Sequence, residues 1–348
     1  MISELILKWY KKNKRDLIWR KTKNPYKIWV SEIILQQTKI SVGSKYYLSF
    51  IKKFPNLESL SKGSEKEILK IWEGLGYYSR AINMLKTAKT LVKNKKKFPS
   101  NYESLIKLKG VGDYTASAIS SICKNEKKAV LDGNVFRVIS RVFNISAPIN
   151  TVTGKKIFQK LTFRLLPDNQ VGDYNQGLMD FGSLHCTIRK PKCKSCPLKN
   201  LCKSYKLNNI ENRPRKIKRT TPKKERVYNY LKIIINNKLL IKKRSKSDIW
   251  KNLFELPLIE GKEIISKELL IKYLSTLFDS IKINHFQLDK TINHKLSHQN
   301  MTINFWNIGI TVRKEKKNIS LLNIKLKSIA NYPFPKPILK YLNDYLNT

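Results

Sequence analysis

Four cysteines, Cys186, Cys193, Cys196 and Cys202, fall within 17 residues in the spacing Cys-x6-Cys-x2-Cys-x5-Cys. No other feature constrains the fold as much. Four thiols on one short loop can meet at one point but cannot cross-link distant parts of a chain. A disulfide framework would spread its cysteines, and with the solitary Cys123 the total is five, an odd count that suits a reducing, cytoplasmic compartment. Convergent thiolates point to a metal centre. Zinc sites usually come as two tight Cys pairs. Here only Cys193 and Cys196 form a tight pair, flanked by gaps of six and five residues, which suits a 4Fe-4S cluster better. Such a centre could only staple the fold, or its loop, with Arg189, Lys190, Lys192, Lys194 and Lys199, could also touch phosphate.

The chain has 348 residues, room for about two domains. Its 70 Lys+Arg against 25 Asp+Glu leave a net charge of +45, which would attract a polyanion: nucleic acid or an anionic membrane face. The chain is also heavy in Asn and Ile, so part of that excess is compositional. At 41% hydrophobic and 10% aromatic it can bury sizeable cores, which excludes wholesale disorder. No apolar run of about 18 residues is present, so no membrane span is expected. The start, MISELILKWYKKNKR, lacks a cleavage site and reads as a helix, not an export signal.

Residues 1–205 carry apolar positions at helical spacing. Ser100-Asn101-Tyr102-Glu103 is a capping-box pattern opening a helix, and Val135, Val138, Ile139 and Val142 share one helix face. The polar, basic stretch 208–224, with two prolines, predicts a linker. Beyond it the pattern changes. YLKIIINNKLLIKKR predicts two strands joined at Asn236-Asn237, 262–279 a helix, and MTINFWNIGITV a further strand. The expected organisation is a helical domain over 1–205 with the cysteine loop at 186–202, a basic linker over 206–225, and a smaller α+β domain over 226–348.

Three segments carry chemistry. Leu108-Lys109-Gly110-Val111-Gly112 lies between helical stretches; its glycines allow a tight turn and close backbone approach, and it feeds a helix N-terminus where free N–H groups can hold a phosphate. This is the layout of a helix-hairpin-helix, although Gly-Val-Gly alone can be simply a turn. Glu32 is the only ionisable group in the apolar run Ile28–Leu35. Burial there would raise its pKa and make it a candidate general acid; a buried Glu paired with an Arg or Lys fits the same residues. Asp132 precedes the Val135 helix, whose N-terminus favours the anion. It reads either as a helix cap, for which Asn134 is equally suited, or as an electrostatic stabiliser. One acid kept neutral beside one kept ionised is the pattern of glycoside cleavage.

The hairpin, an Asp twenty residues after Gly112 and the four-cysteine loop together resemble the helix-hairpin-helix base-excision DNA glycosylases. Within them WVSEIILQQTKI, GLGYYSR, VGDYTASA, LDGNVFRV and YNQGLMDFG resemble the MutY family. The resemblance implies a helix-hairpin-helix glycosylase fold with one 4Fe-4S cluster, followed by a NUDIX-like domain that recognises 8-oxoguanine. It implies Glu32 as proton donor, Asp132 as cation stabiliser and Asn134 as its neighbour. Tyr114 stands where the bifunctional relative endonuclease III carries a lyase lysine, which implies a monofunctional enzyme. Trp19, Arg20, Gln36 and Gln176 are implied around the adenine, with Gln37 and Tyr77 propping the opened duplex. Lys109, Gly110 and Gly112 are implied at the DNA backbone. Ser297 and His298 match the family's Phe-Ser-His loop, with Leu296 in place of Phe. The implied partner is double-stranded DNA with adenine opposite 8-oxoguanine or guanine, bound by a monomer without membrane attachment. No Glu-rich hydrolase box lies around 255–275, so the second domain should bind and not hydrolyse, and the cysteine-free linker implies no zinc. The rival within the superfamily is an endonuclease III-like glycosylase/lyase acting on oxidised pyrimidines.

Overall fold

The computed structural model describes residues 1–218, 222–245, 248–312 and 321–347; residues 219–221 of the expected linker lie outside them. The chain divides into two compact units, one of Met1–Gly63 with Asn83–Arg219, the other of Ser64–Ile82 with Thr220–Thr348. Among the described residues no helix is long and apolar enough to cross a membrane.

The first unit is helical. Its longer helices include Ile2–Asn13, Pro25–Leu35, Asp113–Lys124, Gly133–Phe143, Val152–Arg164 and Val171–Leu184. Val135, Val138, Ile139 and Val142 do share a buried face, packed with Ile6, Phe158, Tyr174, Leu178 and Phe181. Each such side chain contributes about 1.5–3 kcal/mol when taken fully out of water. The helix expected after Ser100 forms for one turn only, Tyr102–Leu105, and the cap is Asn101, whose side chain accepts from Ser104 N–H. With the cap at Asn101 the Ser100–Glu103 box is not used, and Glu126 takes the Tyr102 N–H at 3.0 Å.

The expected linker also differs at both ends. Ile149 N–H donates to the Arg215 carbonyl at 3.0 Å. Asn150 makes a two-way pair with the backbone of Ile217, at 2.8 and 3.0 Å. These bonds satisfy the polar backbone and hold 215–217 against the first unit. At the other end, Lys224 already opens a strand.

The second unit is built on a mixed sheet: β1 (Lys224–Ile235), β2 (Lys238–Lys243), β3 (Phe254–Glu255), β4 (Leu258–Gly261), β5 (Ile281–Lys295), β6 (Gln299–Val312) and β7 (Leu321–Lys325). The order is β3-β2-β1-β6-β5, with β4 also on β1 and β7 on β2. β1 runs parallel to β6 and the other pairs are antiparallel. The hairpin at Asn236-Asn237 forms as expected, both residues at positive φ (48° and 58°), as a two-residue turn with that twist requires. The helix expected over 262–279 begins later, at Lys267, because Ser266 caps it. It packs with Leu231, Ile233, Trp306 and Ile308 in one apolar cluster; Tyr228, Tyr230, Phe305 and Tyr341 belong to another.

The contiguous boundary near 205 misses one exchange: residues 64–82 group with the sheet. Lys66 Nζ stands 3.6 Å from the Tyr332 ring centroid, Phe334 N–H donates to Glu73 Oε1 at 2.9 Å, and Lys243 pairs with Glu65 at 3.2 Å.

Candidate active site

A cavity of about 540 Å³ opens in the first unit, within the roughly 300–1,000 Å³ typical of ligand sites. Its wall brings together Glu32, Asp132, Asn134 and Tyr114, and around them Trp19, Arg20, Gln36, Gln37 and Gln176.

Glu32 reaches the cavity because of how its helix starts and what it buries. Asn24 caps the helix by accepting from Lys27 N–H, and Pro25 occupies the first position, where its missing N–H is harmless. Ile28, Trp29, Val30, Ser31, Ile33 and Ile34 are buried, which leaves Glu32 half-buried on the cavity side. Burial pushes its carboxyl from the ordinary 4.5 up to about 7. The neighbouring Tyr114 hydroxyl works against that shift, the Asp132 charge adds to it, and Arg20 opposes it. The Tyr114 phenol is itself pushed far above its usual range, by burial first and then by the two carboxylates.

Asp132 caps the Gly133–Phe143 helix. Its carboxylate accepts from Asn134 N–H at 2.9 Å, Val135 N–H at 2.7 Å and Asn134 Nδ2 at 2.7 Å. Asp132 is thus the cap and Asn134 its donor, which resolves the two candidates the sequence left equal. Three donors and a helix N-terminus concentrate negative charge at this edge of the cavity. Gly182 lets the Val171–Leu184 helix come close: a Cβ there would sit 2.7 Å from Asn134 Cβ.

Two buried charges were not anticipated. Asp180 is fully buried on the Val171–Leu184 helix and takes Arg20 in a two-pronged bond at 2.6 and 2.9 Å, with Arg15 also on its carboxylate. Burial raises the Asp180 carboxyl, but its bonds to Arg20 and Arg15 outweigh that and hold it below the usual range. Arg20 is thereby locked in place on the cavity wall. The signal in the sequence was one acid inside the otherwise apolar Leu178–Phe181 stretch. Arg137 is the second. It donates to Asn134 Oδ1 at 2.8 Å and to the Cys186 carbonyl at 2.8 Å, so it ties the Asp132–Asn134 corner to the cysteine loop.

Cys186, Cys193, Cys196 and Cys202 line one small cavity. Arg141 faces it, with Nη1 3.5 Å from Cys186 Sγ and also on the Thr187 carbonyl, Nη2 on the Ile188 carbonyl, and Nε on the carbonyls of Ile210 and Arg213. Among the described residues no group of three or more His, Cys, Asp or Glu is placed to hold a single metal ion. Four thiols around one void with a guanidinium against them nevertheless have the donor chemistry of an iron-sulfur cluster, and in that respect these residues fit one. The fifth cysteine, Cys123, is half-buried, and burial pushes its thiol up to about 11.

The hairpin lies between Tyr102–Leu105 and Asp113–Lys124. Gly110 sits at φ +81°, and a Cβ there would meet Asn83 Cβ at 2.9 Å; both facts demand glycine. Gly112 caps the Asp113–Lys124 helix, Lys109 is exposed, and the Lys109 carbonyl is taken by Thr87. In the second unit, Tyr77 is 55% exposed at φ +48°, an aromatic ring held out to solvent on a left-handed turn. Ser297 and His298 are exposed between β5 and β6, with Ser297 Oγ 3.4 Å from His298 Nδ1. Leu296 packs against the sheet core.

A carboxyl raised by burial beside a carboxylate held by three donors, in a helical unit with a glycine hairpin, is an arrangement suited to acid-assisted glycoside cleavage. Residues 30–162 match the HhH-GPD superfamily base excision DNA repair protein family, and residues 230–344 match the NUDIX domain. A thermostable thymine-DNA glycosylase of known structure aligns with 59% of the chain and 95% of its own, with a TM-score of 0.55 and 33% identity. A non-covalent endonuclease III–DNA complex aligns with 60% of the chain and 94% of its own at TM-score 0.51; its 22% identity speaks for the fold alone. The adenine DNA glycosylase of Buchnera aphidicola subsp. Schizaphis graminum is 37% identical over 358 residues, covering 99% of each chain. The chain belongs to the adenine DNA glycosylase family. It is an enzyme of base excision repair that hydrolyses an N-glycosyl bond.

Proposed function

We propose that the chain excises adenine lying opposite 8-oxoguanine or guanine in duplex DNA, as a monofunctional glycosylase acting as a monomer. The observation that carries the reading is Glu32, pushed up to about 7 on the same cavity wall as Asp132. Adenine must leave the stack to be reached, at a cost of a few kcal/mol. Tyr77 and Gln37 prop the opened duplex, and Lys109, Gly110 and Gly112 hold the DNA backbone. Trp19, Arg20, Gln36 and Gln176 surround the flipped base. Glu32 donates its proton to adenine N7, the bond between N9 and C1′ breaks with its electron pair moving to the purine, and Asp132 with Asn134 faces the oxocarbenium-like sugar. Water, directly or by displacing a transient Asp132 adduct, then adds at C1′ and gives up a proton to the Glu32 carboxylate. Tyr114 cannot form a Schiff base, so the product is an intact strand with an abasic site.

In this reading the catalytic domain spans 1–205, the linker 206–225 and the NUDIX-like domain 226–348, where Ser297 and His298 read the opposite base. Cys186, Cys193, Cys196 and Cys202 hold a 4Fe-4S cluster, which when bound cross-links the loop through four thiolates. Arg137 then carries the position of that loop to Asn134. The site of action is DNA in the cytoplasm.

The test is a matched set of duplexes with adenine opposite 8-oxoguanine, guanine, cytosine and thymine, scored with and without alkali. Release opposite the two purines, with strand breaks only after alkali, is expected. Breaks without alkali on an oxidised-pyrimidine duplex would instead favour the endonuclease III-like reading.

A further inference from the structure

The turn that carries Ser297 and His298 is held by side chains at both ends. It is closed by Leu296 N–H donating to the Gln299 carbonyl at 2.8 Å. Gln299, at its end, is 3% exposed, and its side-chain oxygen lies 3.4 Å from Arg226 Nη1. His294, at its approach, faces the indole of Trp250, with ring centroids 5.8 Å apart and planes tilted by 43°. The turn has no Phe, Tyr or Trp of its own; the neighbouring aromatic surface comes from another loop.

That loop is fixed by the same buried cations. Arg226 donates to Asp248 at 2.8 Å, and Arg244 donates to both Asp248 oxygens at 3.0 Å. Arg244 also takes the Ile249 carbonyl at 3.0 Å, and its own carbonyl accepts from Asn252 N–H at 2.9 Å. Between these ties Trp250 stands at φ +63°, a conformation that side-chain-bearing residues adopt only when their surroundings impose it. The contacts close a ring. Arg226 holds both the turn, through Gln299, and the loop, through Asp248, and the loop reaches back to the turn through Trp250 and His294.

We infer that Trp250, clamped by Arg226, Asp248 and Arg244, is a positioning residue that sets where Ser297 and His298 meet the base opposite the target adenine. The inference rests on the reading of that turn as the reader of the opposite base. Removal of Trp250 should loosen the turn, lower excision opposite 8-oxoguanine and leave excision opposite guanine unchanged.

The experiment is single-turnover adenine release on two duplexes, adenine opposite 8-oxoguanine and adenine opposite guanine. It compares the full chain with Trp250→Leu, Trp250→Phe, His294→Ala and His298→Ala. An aromatic contact of this kind predicts a preference for 8-oxoguanine reduced about two- to tenfold in Trp250→Leu and in His294→Ala. Trp250→Phe should retain most of it, and Trp250→Leu should add nothing in a His298→Ala background. His294→Ala changes only the half-buried partner, so it carries the test if Trp250→Leu does not fold. If His298→Ala abolishes the preference while Trp250→Leu and His294→Ala keep it, the positioning role is wrong and the reader stands. Equal losses on both duplexes would reduce Trp250 to a structural residue and overturn the inference. A preference untouched by His298→Ala would remove the reader itself, and the inference with it.

Discussion

Replacing Glu32 by Gln keeps the side chain's size and hydrogen-bonding capacity and removes its ionisation. A carboxyl raised from 4.5 to about 7 has a charged form disfavoured by at most roughly 3 kcal/mol, since water in the cavity screens part of it. The sign follows from the direction of the shift. The folded value lies above the unfolded one, so the contribution to stability is whole below about 4.5 and is lost as pH rises to about 7. The Gln variant suffers no such loss. Calorimetric melting at a series of pH values should therefore show the two proteins alike near pH 4 and the variant more stable at pH 8. At about 2–4 °C per kcal/mol for a unit of this size, the gap should approach roughly 5–10 °C. The same variant should bind duplex and release no adenine. A gap that stays constant with pH, or a variant less stable than the parent at pH 8, would refute the claim that this carboxyl is neutralised by burial.

Asp132→Asn should keep the helix cap, since Asn caps nearly as well as Asp. Excision should fall by about two to three orders of magnitude, because the charge facing the sugar is gone; single-turnover rates with a duplex-binding control check both halves. Tyr114→Phe removes a hydroxyl that lowers the Glu32 pKa, so the alkaline limb of the excision profile should move to higher pH, and an unmoved limb would contradict the assignment. Cys193→Ser should lower the iron and sulfide content of the purified chain from about four of each; unchanged iron content would exclude the proposed ligand set.

What the sequence could reveal followed the range of each interaction. Glu32 stood out because it is a lone charge in an apolar helical run. Asp132 stood out because a helix start places its carboxylate and its donors within three residues. Val135, Val138, Ile139 and Val142 needed only helical spacing, and Asn236-Asn237 only the backbone preference of a tight turn. The interactions that were hidden are long-range. Asp180 meets Arg15 from 165 residues away, and nothing local to either announces the pair. Residues 64–82 join the second unit through scattered contacts to Tyr332, Phe334 and Lys243 that no periodicity encodes. β5 escaped notice because it is largely exposed and polar, so its alternation is weak. The basic stretch 215–217 reads as a linker by composition, yet Ile149 and Asn150 pair with its backbone. At the cap near residue 100 the local pattern misled by one residue: Asn101, not Ser100, caps the turn, and Glu126, distant in sequence, takes the Tyr102 N–H.

Excision turns on a proton held by Glu32 until adenine is in place. The most direct test of this is the pH dependence of single-turnover adenine release from an adenine:8-oxoguanine duplex, with the parent chain beside Glu32→Gln. The parent should be fastest below about pH 7 and slow as pH rises through that value, and the variant should show neither the rate nor the limb. A parent rate that holds level to pH 9, or a variant that retains the same limb, would contradict it.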